Sequence, residues 1–163
     1  MNTLKILPAK EKDIPVILAF IKGLASHVNL LHEVVAAEKD LRKTLFGPQR
    51  FAEVFIGYSE NEPVAYVLFC YNYSTFLGKP GIYIEDLYVK PDFRGNGIGR
   101  AMLRHVAKIA RERGCGKVEW YAAEWNPRAI KFYENLGANP LQGRIIYRLI
   151  GEALDTLVNE EVL

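Results

Sequence analysis

The sequence predicts a mixed α/β fold in which one sheet is flanked by helices on both faces. Half of the 163 residues are hydrophobic and a quarter are charged, which is typical of one globular domain with a substantial core. Segments rich in β-branched and aromatic residues are interspersed with segments in which apolar residues recur at three- and four-residue steps. The sequence contains no internal repeat, low-complexity segment or linker, so we expect residues 1–163 to form a single domain.

The first half of the chain predicts a strand, two helices and three further strands. The apolar run "TLKIL" ends at Pro8, and Asp13 with Pro15 begins a helix that continues to about Leu24. A second helix is predicted over about residues 37–46, where "EKDLRKTLF" has helical spacing and ends at "GP". Two segments separated by "SENE" predict an antiparallel hairpin, and a third strand follows them: "FAEVFIGY", "PVAYVLFCYNY" and "GIYIEDLYV".

The second half predicts two helices, two strands and a helical tail. The first helix ends at Gly114 and carries an apolar stripe made of Ile98, Met102, Val106 and Ile109. A strand "KVEWYAA" follows, and the helix "NPRAIKFYENLGA" begins with Asn126 at its N-cap and a proline at N1. The segment "GRIIYRLI" predicts a last strand, and "EALDTLVNEEVL" predicts a helix with an apolar face.

Charge and cysteine content argue against several classes of partner. The net charge is only +2 with both signs spread along the chain, so we expect no nucleic-acid partner. No apolar run reaches the roughly 18 residues that cross a bilayer, so we expect no membrane partner. Cys70 and Cys115 lack metal-like or redox-like spacing, and "MNTLKILPAK" lacks the apolar core of an export signal, so a cytoplasmic location without a metal is expected.

A glycine-rich turn, "DFRGNGIGRAML" at residues 92–103, lies between the third strand of the hairpin region and the long helix. The first N–H groups of a helix are unpaired and attract anions, and glycines remove the side chains that would keep a phosphate away. Gly95, Gly97 and Gly99 with the Arg94 cation therefore predict a diphosphate site, although glycines before a helix can also serve only a tight turn.

Two well-known phosphate loops do not fit this turn. A dinucleotide fingerprint needs a third glycine where the chain has Arg100. A nucleotide-triphosphate loop needs Gly-Lys-Ser/Thr where the chain has Gly-Arg-Ala. The ligand is therefore expected to be a different diphosphate.

Two motifs carry a family resemblance. "RGNGIG" resembles the Arg/Gln-x-x-Gly-x-Gly/Ala loop of the GCN5-related N-acetyltransferase (GNAT) superfamily, and "AEWNPRAIKFYENLGA" is similar to its second coenzyme-contacting helix. Within it, "YIEDLYV", "AEWN" and "EKDL" are similar to the spermidine/spermine (diamine) and thialysine N-acetyltransferases. The resemblance implies a mostly antiparallel twisted sheet of about six to seven strands, acetyl-CoA as co-substrate, and a homodimer formed near the C-terminus.

The resemblance also implies which residues contact coenzyme A. The backbone of Leu87, Tyr88 and Val89 would lie along the pantetheine arm. The side chain of Asn126 would contact the coenzyme, although its use as the helix N-cap competes for the same atoms. The remaining implied contacts are Arg94, Gly95, Asn96, Gly97, Ile98, Gly99, Arg100 and Ala129.

Acetyl transfer to an amine needs a group that accepts a proton and a group that donates one. A primary amine with a pKa of about 10.4 is almost wholly protonated at pH 7. Glu85 is the candidate acceptor, directly or through a water, and it could instead be an ordinary solvent-facing or paired carboxylate. Tyr133 is the candidate donor to the leaving thiolate, with Phe132 beside it expected in the core. The resemblance assigns both catalytic tasks to these positions.

The acceptor is less well specified. Candidate substrate contacts are His27, Glu33, Asp86 and Tyr121. Polyamine acetyltransferases resemble one another in an acidic and aromatic stretch after the first helix, whereas "SHVNLLHEV" here has Glu33 as its only carboxylate. This departure argues against spermidine and spermine, and a diamine or a thialysine-like amino acid would need fewer carboxylates. In a regular strand Asp86 would point away from the face of Glu85, whereas a bulge would re-aim both. A protein lysine or N-terminal acetyltransferase and a non-catalytic coenzyme A-binding module are the alternatives.

Overall fold

The computed structural model describes residues 4–143 and 145–160, which form two compact units with a boundary after residue 121. The first unit contains one five-stranded sheet in the order β1-β2-β3-β4-β5. Neighbouring strands are antiparallel except β4 and β5, which are parallel. The strands are β1 Lys5–Pro8, β2 Glu53–Ser59, β3 Glu62–Ser74, β4 Lys79–Val89 and β5 Val118–Glu119.

The helices begin where the sequence predicts them. In the first unit they are α1 Ile14–His27, α2 Glu38–Leu41 continued by a π-helical turn Arg42–Phe46, and α3 Ile98–Glu112. Short 3₁₀ turns lie at Glu11–Asp13, Leu31–Glu33 and Pro91–Phe93. The second unit contains α4 Pro127–Glu134 and α5 Glu152–Asn159, which confirms the helical tail.

The alternation of β2 shows that both faces of the sheet are covered. Val54 and Ile56 belong to a buried cluster with Phe20 and other apolar residues of α1 and α2. Phe55, on the opposite face, packs against His105 of α3 with 4.7 Å between the ring centroids. Because successive side chains of a strand point to opposite faces, α1 and α2 lie on one side of the sheet and α3 lies on the other.

The ladder between β3 and β4 contains a β-bulge at Glu85. Leu68 of β3 is opposite Asp86, but the next residue, Phe69, is opposite Ile84, so Glu85 has no partner on β3. An extra residue bends the strand and changes which side chains share a face. After the bulge, Asp86 and Tyr88 are on the face that α1 covers. Before the bulge, Ile84 is on the face that α3 covers.

The sheet has fewer strands than the six to seven that were predicted. The predicted strand at residues 117–123 is a strand only at Val118–Glu119, because β5 pairs only with Ile82 and Tyr83 of β4 and the bulge lies two residues further on. The predicted last strand at residues 143–150 is wrong over its described part, residues 145–150. Those residues have exposed side chains and no ladder partner in the described chain to stabilise an extended backbone.

Candidate active site

The bulge places two consecutive carboxylates on the face of the sheet that α1 covers. Asp86 is partly buried and hydrogen-bonded on this face, whereas Glu85 is exposed. Tyr83 and Cys70 are register partners on β4 and β3. Burial raises the pKa values of both side chains, and the negative charge of Glu85 raises them further. Of the two alternatives that the sequence left open, a regular strand and a bulge, the structure has the bulge, so Asp86 does not point away from the face of Glu85.

Asp86 is held by a tyrosine that the sequence analysis did not identify. The Tyr66 hydroxyl donates a short hydrogen bond to Asp86 Oδ2, and the Tyr66 side chain is fully buried. Burial raises the pKa of Asp86 above the ordinary value of an aspartate, and the hydrogen bond from Tyr66 opposes that rise. Among the described residues no cation forms an ion pair with Asp86. Tyr66 therefore gives its carboxylate a hydrogen bond but no counter-charge.

A second group of polar side chains lies beside Glu85 on the same face. Glu119 accepts hydrogen bonds from Asn72 Nδ2 at 3.1 Å and from Lys117 Nζ at 2.5 Å. Tyr83 is opposite Glu119 in the parallel ladder. Burial raises the pKa of the Tyr83 phenol, and the nearby Glu85, Tyr121 and Glu119 side chains raise it further. The predicted residues Tyr121 and Glu85 therefore both lie near Tyr83. Tyr83 could have been found from its position two residues before Glu85 on one strand.

The glycine-rich turn leads into the N-terminus of α3 with its amide donors open. Gly95 and Gly97 have φ values of +81° and +77°, a conformation that side chains disfavour, and Gly97 is the N-cap residue of α3. No side chain of the described residues caps this helix. The N–H groups of Ile98, Gly99 and Arg100 are in the first turn, where a helix offers no internal acceptor. The turn has the features of an anion site.

Arg94 is oriented beside this turn by two contacts. Its Nε donates a hydrogen bond of 2.9 Å to the Val89 carbonyl oxygen, and its guanidinium lies 5.5 Å from the centre of the Tyr88 ring. The two terminal nitrogens of the guanidinium are not used by these contacts. Asn96 turns its amide back to the Phe93 carbonyl at 3.4 Å, which closes the turn.

The end of β4 leaves one backbone edge without a strand. Leu87, Tyr88 and Val89 pair with β3 on one side. On the other side β5 pairs with β4 only at Ile82 and Tyr83. In the described part of the chain the edge after the bulge is therefore open to an extended ligand that can exchange hydrogen bonds with it.

Helix α4, in the second unit, carries three predicted residues. The Asn126 side-chain oxygen accepts a hydrogen bond of 3.1 Å from the Ala129 amide, so Asn126 is the N-cap. Its Nδ2 group is not used in this bond. Tyr133 packs against Phe132 with 5.2 Å between the ring centroids, and burial raises the pKa of its phenol.

The structure places His27 and Glu33 on consecutive segments at the end of α1. His27 is the last residue of α1, and Glu33 ends the 3₁₀ turn Leu31–Glu33. Both side chains are exposed, and Glu33 Oε1 lies 4.0 Å from His32 Nε2. Within residues 4–143 and 145–160, Glu33 makes no hydrogen bond or ion pair with Asp86 or Glu85.

The described residues contain neither a metal-binding cluster nor a helix that could span a membrane. No group of three or more histidine, cysteine, aspartate or glutamate side chains is arranged so that it could hold a metal ion. Among the same residues, no helix has the length and apolar character needed to span a bilayer.

The sheet with helices on both faces and the uncapped N-terminus of α3 are features of a domain that can bind an anionic ligand. A model of the acetyltransferase (GNAT) family matches residues 25–138, and the chain belongs to this family of acetyltransferases. Thialysine N-epsilon-acetyltransferase of Bos taurus is 35% identical over 98% of this chain and 100% of its own length. L-ornithine N5-acetyltransferase NATA1 of Arabidopsis thaliana is 30% identical over 94% of this chain and 87% of its own length.

Solved structures support the same fold. An integron cassette protein of V. cholerae superposes with a TM-score of 0.81 at 23% identity, covering 96% of this chain and 98% of that one. The aminoglycoside acetyltransferase meta-AAC0020, solved with sisomicin, gives a TM-score of 0.76 at 23% identity and covers 90% and 97% of the two chains. At these identities the likeness concerns the fold.

Proposed function

We propose that this acetyltransferase transfers the acetyl group of acetyl-CoA to a primary amine of a small molecule by direct attack. The observation that carries the proposal is the bulge in β4, which brings Glu85 and Asp86 together at the start of an open backbone edge. The Glu85 carboxylate is exposed and can take a proton, and the Asp86 carboxylate is partly buried and can hold a cation. The named activities of the relatives from cattle and Arabidopsis, on thialysine and ornithine, support an acceptor of this size.

The coenzyme would be held by the turn before α3 and by the free edge of β4. The first-turn amides, from Gly97 to Arg100, and the Arg94 guanidinium would bind the pyrophosphate. The backbone of residues 87–89 would hydrogen-bond the pantetheine arm and polarise the thioester carbonyl. In the second unit, Asn126 would contribute its Nδ2 group beside Ala129, since the Asn126 oxygen is used by the cap.

Glu85 would accept the proton that the amine must lose before it can attack. An alkylammonium with a pKa of about 10.4 is deprotonated to only a few parts in ten thousand at pH 7, a deficit of roughly 4 to 5 kcal/mol. The Glu85 side chain is exposed, so it can reach the amine directly or through one bound water. The neutral amine then attacks the thioester carbonyl, and the attacking nitrogen releases its remaining extra proton to solvent. Collapse of the adduct breaks the C–S bond and expels the coenzyme thiolate.

Tyr133 would give its hydroxyl proton to that thiolate. Burial raises the pKa of Tyr133 above its ordinary value of 10.0, so the phenol is protonated at neutral pH. The thiolate of a thiol with a pKa near 8.5 is a weaker base than a phenolate, so the phenol must be positioned to deliver its proton as the C–S bond breaks. The Tyr133 phenolate then regains a proton from solvent.

The acceptor site would use Asp86 as its partly buried anion and Tyr121 as an exposed aromatic wall. Tyr121 is 60% exposed, and Tyr121 and Glu85 both lie near Tyr83. His27 and Glu33 would contact the more distant end of the acceptor. This small number of carboxylates suits a diamine or a thialysine-like amino acid better than spermidine or spermine.

We further propose that residues 1–163 act as one domain and that two copies form a homodimer in the cytoplasm. The family match at residues 25–138 extends across the boundary between the two units, which supports a single functional domain. Exposed apolar side chains near the C-terminus support a dimer contact: Ile145, Ile146, Tyr147, Ile150, Leu157 and Val158. The cytoplasmic location rests on two free cysteines. The net charge of +2 gives no support for a nucleic-acid partner.

A panel of amines tests the activity. Free thiol release would be followed with acetyl-CoA and, in separate reactions, thialysine, L-ornithine, 1,4-diaminobutane, spermidine and a lysine-containing peptide. We expect the highest kcat/KM with one of the first three and loss of at least about 100-fold of kcat in Glu85→Gln. Preference for the peptide would replace the small-molecule assignment by protein acetylation. Binding of coenzyme A without turnover of any amine would indicate a non-catalytic module.

A further inference from the structure

We propose that Tyr66 is a positioning residue of the acceptor site, which fixes the Asp86 carboxylate so that one of its oxygens is left for the ammonium group of the substrate. The inference rests on the proposed function, because it assigns Asp86 to the acceptor. Tyr66 lies in the middle of β3 and is fully buried, so its hydroxyl cannot reach solvent.

The Tyr66 ring cannot move away from Asp86 without disturbing α1. Phe20 of α1 stacks on Tyr66 with 5.2 Å between ring centroids and 9° between ring planes. The same Phe20 ring contacts Tyr88, which is the register partner of Tyr66 on β4, at 5.9 Å. The phenol is therefore fixed by its own strand, by the neighbouring strand and by the helix above them.

The bulge is what brings Asp86 into reach of this phenol. Asp86 is opposite Leu68, two residues along β3 from Tyr66, and diagonal neighbours on one face are within reach of an aromatic side chain. In a regular strand without the bulge, the Glu85 and Asp86 carboxylates would be on opposite faces. The hydrogen bond from Tyr66 to Oδ2 therefore fixes the Asp86 side chain on the face of the sheet where the reaction is proposed to occur.

The chemistry of the pair indicates a ligand cation. Partial burial of the Asp86 carboxylate weakens its hydration, and Tyr66 supplies a hydrogen bond but no positive charge, so a cation on the open side would be favourably bound. In the described part of the chain no lysine, arginine or histidine forms an ion pair with Asp86. Because Oδ2 accepts the Tyr66 hydrogen bond, Oδ1 is the atom from which a charge-assisted bond to a substrate ammonium is available.

The test compares Tyr66→Phe with Tyr58→Phe in the full-length protein. Tyr58 is a partly buried tyrosine packed against the same core cluster, and its removal leaves Asp86 untouched. With thialysine and L-ornithine as acceptors, Tyr66→Phe should raise KM about 10-fold or more and change kcat by less than about 3-fold. Tyr58→Phe should leave both parameters within about 2-fold of the wild type.

Two further measurements separate positioning from a general loss of packing. In the absence of any substrate, a carboxyl-carbon NMR titration should give a higher pKa for Asp86 in Tyr66→Phe than in the wild type, because the charged form has lost its hydrogen-bond donor. In an Asp86→Asn background, Tyr66→Phe should have less than half its effect on log KM, since the two residues act through one carboxylate.

The outcomes distinguish the two levels of the proposal. If the wild type acetylates none of the amines, the proposed function fails, whatever the titration gives. If the Asp86 pKa is the same in Tyr66→Phe and the wild type, or if Tyr66→Phe changes KM no more than Tyr58→Phe does, the positioning role of Tyr66 is overturned even for an active acetyltransferase.

Discussion

Gly23 of α1 lies against the Tyr88 side chain of β4, so closely that a Cβ on the glycine would be 2.7 Å from the phenol oxygen. The same Cβ would be 2.9 Å from Cζ of that ring. The absence of a side chain lets the helix approach the sheet at this turn. One turn earlier, the approach lets Phe20 contact both Tyr66 and Tyr88. The close packing of α1 on the sheet therefore holds together the rings of Phe20, Tyr66 and Tyr88. Tyr88 belongs to the proposed coenzyme edge, and Tyr66 binds the proposed acceptor carboxylate, Asp86.

Gly23→Ala should destabilise the protein although alanine is the better helix former. The gain in helix propensity is about 1 kcal/mol, whereas forcing the ring or the helix aside in a packed core costs typically about 1 to 3 kcal/mol. We expect the free energy of unfolding in urea to fall by about 1 kcal/mol. In a Tyr88→Phe background the loss should be smaller, because the phenol oxygen that meets the methyl group is gone. A more stable Gly23→Ala variant would contradict the close approach.

Gly97 and Gly114 offer a matched test of the diphosphate loop. Gly97 precedes α3 at φ +77°, Gly114 follows it at φ +70°, and a Cβ at either position would meet no atom within 4 Å. Alanine at each should therefore cost about 1 kcal/mol of stability through backbone strain. Gly97→Ala should also weaken coenzyme A binding about 10-fold in calorimetry, because its methyl group lies beside the open amides. Gly114→Ala should bind normally, and equal affinities of the two variants would contradict the site.

Asp86→Asn should stabilise the protein at neutral pH while weakening acceptor binding. Burial raises the pKa of Asp86 above its ordinary value of 3.8, so the folded state holds this proton more tightly than the unfolded state does. Stability from this group is present at low pH and is lost as pH rises from about 3.8 through the raised pKa. Asparagine keeps an oxygen for the Tyr66 hydroxyl and carries no charge. We expect a gain of roughly 0.5–1 kcal/mol at pH 7 that disappears near pH 3, together with a raised KM for the amine.

The sequence predicted the order of helices and strands because local signals determine it. Pro15 at the start of α1 and Asn126 at the start of α4 are both found where those signals placed them. The sequence analysis left a regular strand and a bulge at Glu85 as alternatives and could not decide between them, because register depends on which residues of β3 face which residues of β4. For the same reason Tyr66, twenty residues from Asp86 in the chain, was missed.

The predicted last strand failed for a related physical reason. The segment "IIYRLI" has strong strand propensity, but propensity needs a partner backbone before it becomes a strand. In the described residues the ladder of β5 is two residues long, and the apolar side chains of residues 145–150 are exposed. The local composition was interpreted correctly as apolar and β-branched, whereas the pairing is a property of the whole sheet.

Tyr133→Phe should separate binding from chemistry, because it removes one hydroxyl and keeps the ring. We expect kcat to fall about 100-fold or more, with an unchanged coenzyme A affinity, since a general acid acts only as the thiolate leaves. Burial raises the pKa of Tyr133 above 10.0, so loss of its proton should not lower the wild-type kcat until the pH exceeds that value. Tyr147→Phe, at a tyrosine that is 87% exposed, is the control and should turn over normally. If Tyr133→Phe keeps the wild-type kcat across the pH range, the proton reaches the thiolate from another group, and the open backbone edge and Glu85 must account for catalysis without it.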